Sequence, residues 1–144
     1  MPDRRRLGAY VLTGDPTWLA SSLARYYDLL DDLVVLVPED GLSWAGHPLP
    51  VQECLAAVRA VDHRGLARSV QGRWTDPDDV LAAEIAQRTA GLQALAHCDW
   101  VLQIDNDEVL PDPHALLAAL DVAEDAGIDA VEWPMRVLFR RLES

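Results

Sequence analysis

The sequence contains no lysine. All 12 of its basic residues are arginines, set against 24 acids, for a net charge of −12. The uniform choice of arginine reads as compositional bias rather than as chemistry. The shortage of positive charge does exclude partners: a nucleic-acid backbone and an anionic membrane surface both reward clustered cations. The only basic cluster, residues 4–6, reads as a solvated chain start. Long apolar runs are also lacking. No stretch approaches the roughly 20 apolar residues of a membrane helix, and the arginine-led start has no apolar signal core, so no membrane span and a cytoplasmic location are expected. Cysteine is scarce. Cys54 and Cys98 form no CxxC pair and have no patterned histidine nearby, which argues against zinc and for two buried, reduced thiols. His47, His63, His97 and His114 are scattered in loops and helix ends and read as surface or capping residues.

What is present suits one folded domain over residues 1–144: half the residues are apolar, a quarter are charged, and no low-complexity run interrupts them. Residues 8–13 form a short apolar run closed by Gly14, Asp15 and Pro16, a strand followed by a helix start with Asp15 as cap. The helix carries Leu19, Leu23, Tyr26 or Tyr27, and Leu30 as its apolar stripe. Residues 33–37, Leu-Val-Val-Leu-Val, lack polar alternation, as expected of a parallel strand covered on both faces. Val51, Leu55 and Val58 mark a second helix ending near Gly65, and residues 67–74 a weaker strand. Asp76 and Pro77 then repeat the cap-plus-proline start of a helix with Leu81, Ile85, Leu92 and Leu95 inward.

Residues 100–104, Trp-Val-Leu-Gln-Ile, give another buried-type strand that runs directly into Asp105, Asn106, Asp107 and Glu108. Asp112 and Pro113 start the last helix, with Leu116, Leu117 and Leu120 inward and Gly127 at its end. Residues 130–139 read as extended, with Pro134 confining them to an edge or bend. Strands alternating with helices predict an α/β fold with a mostly parallel sheet, in which ligands bind beyond the carboxyl ends of the strands.

Three carboxylates within four residues at a strand's end repel one another unless a positive group offsets them. Residues two apart on an extended segment point to one side, so Asp105 and Asp107 converge on one ligand. Carboxylate oxygens suit Mg2+ or Mn2+, which keep coordination positions open for phosphate oxygens. Acids after strands also serve as turn formers and helix caps, and that plainer role is the one assigned to Asp15, Asp76 and Asp112.

The run Arg88-Thr89-Ala90-Gly91-Leu92, followed by residues 99–111, Asp-Trp-Val-Leu-Gln-Ile-Asp-Asn-Asp-Glu-Val-Leu-Pro, resembles the donor-site core of family 2 glycosyltransferases. In that family an Arg-Asn-x-Gly-like helix leads to a strand ending in Asp-x-Asp. Here Thr89 stands where Asn is usual, and Pro38 precedes the acidic loop of the second strand. The resemblance spans about residues 8–142 and implies a GT-A, Rossmann-like fold and a nucleotide-diphosphate sugar as donor. It places Thr13, Glu39 and Asp40 beside the nucleotide base and Arg88 near the diphosphate. Asp105 would contact ribose or metal, and Asp107 would ligate the metal.

Inverting members are expected to use a carboxylate base well after Asp-x-Asp. The sequence runs 37 residues beyond Asp107, where Glu132 and Glu143 qualify by chemistry alone. The expectation is thus a metal-dependent sugar transferase, or its donor half without the acceptor-binding portion. The alternative is a non-catalytic nucleotide-sugar-binding or interaction module of the same fold. A phosphatase of the haloacid dehalogenase type also uses Asp-x-Asp after a strand, but no Gly-Thr follows the motif here and no lysine is available for the phosphate. Among the five tryptophans, Trp44 in the polar loop after Gly41 is the candidate for stacking on a sugar or base.

Overall fold

A computed structural model describes residues 4–136 of the chain. In order it contains β1 (Leu7–Leu12), α1 (Leu19–Tyr26) with a short 3-10 turn at Tyr27–Leu29, β2 (Asp32–Pro38), α2 (Val51–Val61), β3 (Ala67–Gly72), α3 (Val80–Ala94), β4 (Trp100–Gln103) and α4 (Pro113–Asp125). Two compact units separate after Pro111. The first holds the sheet with α1, α2 and α3; the second holds α4, whose buried face is Leu116, Leu120 and Ala123. No helix among the described residues is long and apolar enough to cross a membrane.

The fold is α/β. All four strands are parallel, in the order β3-β2-β1-β4, the Rossmann-like arrangement expected. The chain steps outward from β1 through β2 to β3, then returns to the far side of β1 for β4. Right-handed crossovers in opposite directions put their helices on opposite faces, and the strand residues divide accordingly. Tyr10, Val34 and Leu36 share a face, where they cluster with Leu95 and pack against Ala90, Ala94, Val70 and Trp74. The alternate residues Ala9, Val11, Leu33, Val35 and Leu102 point to the other face and are equally buried. Burial on both sides is why β1 and β2 read as unbroken apolar runs.

α3 reverses the expected face. Leu81, Ile85 and Leu92 are 65%, 55% and 48% exposed, and the helix instead buries Ala83, Gln87 and Gly91 at four-residue spacing. Small residues win here because the helix backbone comes against the ring of Tyr10: a Cβ on Gly91 would lie 2.7 Å from Tyr10 Cγ and 3.1 Å from a Leu36 methyl. Gly91→Ala is therefore expected to lower stability by about 1 kcal/mol, because overpacking outweighs the better helix propensity of alanine. A urea midpoint that rises in this variant would show that α3 is free to back away from the sheet.

Two of the three Asp-Pro starts also resolve differently. Asp15 accepts the Thr17 N–H at 2.9 Å, forming a turn, and α1 begins only at Leu19. Asp76 accepts from Asp78 and Asp79, and the cap of α3 is Asp79, which takes the Ala82 N–H at 3.0 Å. An Asp-Pro pair closes a turn as readily as it caps a helix, and in both places a further turn precedes the helix. Asp112 does cap α4, accepting from His114 and Ala115 with Pro113 in the first turn, and Gly127 follows at φ 66°. β3 stops at Gly72, because Trp74 folds back over that glycine. Residues 130–136 form no strand; residues 137–139 of the expected extended segment lie outside the described residues.

Two carboxylates tie the crossovers together. Asp32 accepts Arg68 Nε at 3.2 Å and Nη2 at 3.0 Å and lies 2.9 Å from His97 Nε2. Asp62 accepts the Tyr27 hydroxyl at 2.5 Å and the Leu66 and Ala67 N–H groups. Burial works against each charge, but it is outweighed by Arg68 at Asp32 and, at Asp62, by the Tyr27 hydroxyl together with the Ala67 and Leu66 N–H groups, so both pKa values fall below the ordinary carboxylate value. A carboxylate with a lowered native pKa stabilises the fold above its unfolded pKa of about 4, and this contribution is lost as the pH falls through the native value. The urea midpoint is therefore expected to hold from pH 7 to about 5 and to drop below about pH 4. A midpoint that stays flat down to pH 2 would contradict these assignments.

Candidate functional site

β1 and β4 are neighbours that diverge in their connections, and the crevice beyond the carboxyl ends of such a pair is where open α/β sheets bind ligands. A cleft of about 370 Å³ lies there, within the ~300–1,000 Å³ of ligand pockets. Its walls are Tyr10 and Leu12 of β1, Gly14 and Asp15 of the following loop, Gln103 to Asp107 at the end of β4, Glu84 and Arg88 of α3, and Trp44.

The acidic segment is held as a tight turn. Glu108 N–H donates to the Asp105 carbonyl at 3.0 Å, and the Glu108 carboxylate accepts the Asp105 N–H at 3.1 Å. The Asn106 amide donates to the carbonyls of Leu12 at 2.9 Å and Asp15 at 3.1 Å, joining the β4 turn to the β1 loop. From α1, Ser22 Oγ donates to the Glu108 carbonyl, and Arg25 donates to those of Leu110 and Pro111. Asn106 and Glu108 thus serve the backbone, leaving Asp105 and Asp107 exposed at the cleft.

Arg88 crosses the cleft wall. Its side chain is only 19% exposed, with Nε bonded to Glu84 at 2.9 Å and Nη2 to Asp105 at 3.3 Å. Burial disfavours its charge, but Tyr10, Glu84 and Asp105 more than offset this and raise its pKa above the usual value. Tyr10, whose hydroxyl donates to Gln103 at 2.5 Å, has its pKa raised chiefly by burial. Asp15, Glu84, Asp105 and Asp107 face this single arginine, so the cleft is net acidic.

Among the described residues no three His, Cys, Asp or Glu side chains gather into a metal-binding group. Of the four carboxylates that line the cleft, Asp105 and Asp107 stand together on the turn after β4 as an oxygen-only pair, exposed on their remaining sides. That composition fits a hard cation shared with phosphate oxygens rather than one enclosed by protein.

Of the residues singled out by sequence, Arg88, Asp105 and Asp107 meet in this cleft. Thr13, Glu39 and Asp40 are not among its walls. Thr13 is 1% exposed and its hydroxyl donates to the Leu36 carbonyl. Asp40 accepts the Leu42 N–H at 3.0 Å and the Thr75 hydroxyl at 2.9 Å, shaping the loop after β2, and the Leu42 bond is the main cause of its lowered pKa. Glu39 pairs its N–H with the Gly72 carbonyl. Glu132 is exposed in the second unit, and Glu143 lies outside the described residues. Glu84 and Gln103 joined the site unannounced. Glu84 was readable as the i−4 partner of Arg88, and Gln103 as the residue two before Asp105 on the same strand face. Cys54 is buried, which pushes its thiol up to about 11, away from reactivity. Comparison with known protein families, curated proteins and solved structures gave no match to this chain.

Proposed function

We propose that this cleft receives the diphosphate of a nucleotide-activated sugar together with a divalent cation at Asp105 and Asp107, as the donor site of a family 2-like glycosyltransferase. The observation that carries the reading is the meeting of Arg88, Asp105 and Asp107 at the switch point of a parallel sheet. Its acidity supports the need for a cation: four carboxylates and one arginine repel a bare diphosphate. Bound there, magnesium or manganese supplies the Lewis acidity that eases departure of the nucleoside diphosphate. Arg88, pre-positioned by Glu84, offers its guanidinium to the phosphate oxygens. Asn106 holds the two loops at a fixed spacing, so the carboxylates need little rearrangement.

Calorimetry with uridine and guanosine diphosphates, with and without manganese, tests the proposal. Binding that needs manganese is expected, and no binding of either nucleotide with the metal would overturn it. Release of free sugar from a nucleotide sugar by the same protein separates a transferase from a donor-binding module.

A further inference from the structure

Resting on the donor-site reading, we infer that Trp44 is the surface on which the donor's nucleobase stacks. The indole lines the same cleft as Arg88 and Asp105, and it is fixed in place before any ligand arrives. Its Nε1–H donates to Gln87 Oε1 at 2.7 Å, and Gln87 is itself only 5% exposed, on the sheet-facing side of α3. Its carbonyl accepts the Asp76 N–H at 2.9 Å.

The loop around Trp44 is equally constrained. Gly41 and Gly46 adopt φ of 68° and 89°, a region open to glycine at little cost. Ser43 and His47 bond to each other through backbone and side chain, and Leu49 N–H returns to the Gly41 carbonyl at 2.9 Å. A rigid aromatic face loses little conformational freedom on binding. The Arg88 guanidinium carbon lies 6.0 Å from the ring centroid, so a phosphate on Arg88 brings its attached nucleoside beside the indole.

The polar residues first expected at the base are occupied elsewhere: Thr13 is buried and bonded to Leu36, and Asp40 is bonded to Leu42 and Thr75. The other aromatic wall, Tyr10, is 2% exposed and bonded through its hydroxyl to Gln103, so the wall left for a planar heterocycle is Trp44, and stacking on an indole asks for no base-specific hydrogen bond.

Trp44→Leu and Trp44→Phe, titrated with uridine diphosphate, uridine diphosphate glucose and inorganic pyrophosphate in the presence of manganese, test this. Trp44→Leu should bind uridine diphosphate about 5- to 100-fold more weakly, the range for losing one base–aromatic stack. Pyrophosphate affinity should stay within twofold, and Trp44→Phe should recover most of the loss. An equal loss for pyrophosphate, a loss confined to the nucleotide sugar, or phenylalanine behaving like leucine would each overturn the stacking role while leaving the donor site standing. Wild-type protein that binds none of the three would overturn both.

Discussion

Asp107→Ala is expected to weaken manganese-dependent binding of a nucleoside diphosphate by about 100-fold, equivalent to about 2.7 kcal/mol. The variant should do so without loss of stability. Among the described residues the Asp107 carboxylate has no hydrogen-bond partner and stands exposed at the cleft. Its negative charge therefore repels its neighbours with no compensating contact, and removing it relieves the apo protein. Asp105 is different, because it is already paired with Arg88. Replacing it would free the arginine as well as remove a proposed metal ligand, which mixes two effects. Calorimetry paired with thermal unfolding reads both quantities for Asp107→Ala. Unchanged nucleotide affinity would remove the cation from the proposed donor site, and a large drop in melting temperature would mean that Asp107 has a structural role.

The largest stability effect should come from Leu36→Ala, at about 3–4 kcal/mol by urea denaturation, as for other fully buried leucines. Leu36 is 0% exposed in β2, between β1 and β3, and one of its methyls sits against the bare backbone of Gly91. Neither wall is free to close the gap. The sheet is pinned by its ladder on both sides of β2, and α3 already lies against Tyr10. A loss of that size is a large fraction of the ~5–15 kcal/mol that holds such a domain together. A cost below about 1 kcal/mol would mean that α3 settles into the cavity, in which case Arg88 would move with it and nucleotide binding would change in parallel.

The strands were legible in the sequence because a parallel sheet covered on both faces leaves a signal that survives without context. Leu33 to Val37 has no polar position, and only burial on both sides explains that. The acidic segment was legible for a related reason, since charges placed directly after such a strand must sit at its carboxyl end. What failed was whatever depended on which neighbour an element meets. α3 has an obvious apolar stripe in Leu81, Ile85 and Leu92, yet its contact face is set by the size of Tyr10, which rewards Gly91 and Ala83 over leucine. Thr13, placed beside the base by the family resemblance, is buried with its hydroxyl on the Leu36 carbonyl, a contact that local sequence does not announce. Asp15 looked like a cap and instead closes a turn whose loop forms a wall of the cleft. These outcomes follow from distances between residues remote in sequence, which local pattern does not encode.

The Asn106 clamp has one more consequence, for the order in which the molecule is made. The bonds that complete the cleft, Tyr10 to Gln103 and Asn106 to Leu12, close loops of 93 and 94 residues. Contacts of such long sequence separation form slowly, since most of the chain must be ordered before they are rewarded. On a growing chain β1 can pair with β2 early, but its other edge stays open until β4 has been synthesised. The cleft is thus completed late in folding, only when β1 and β4 have met.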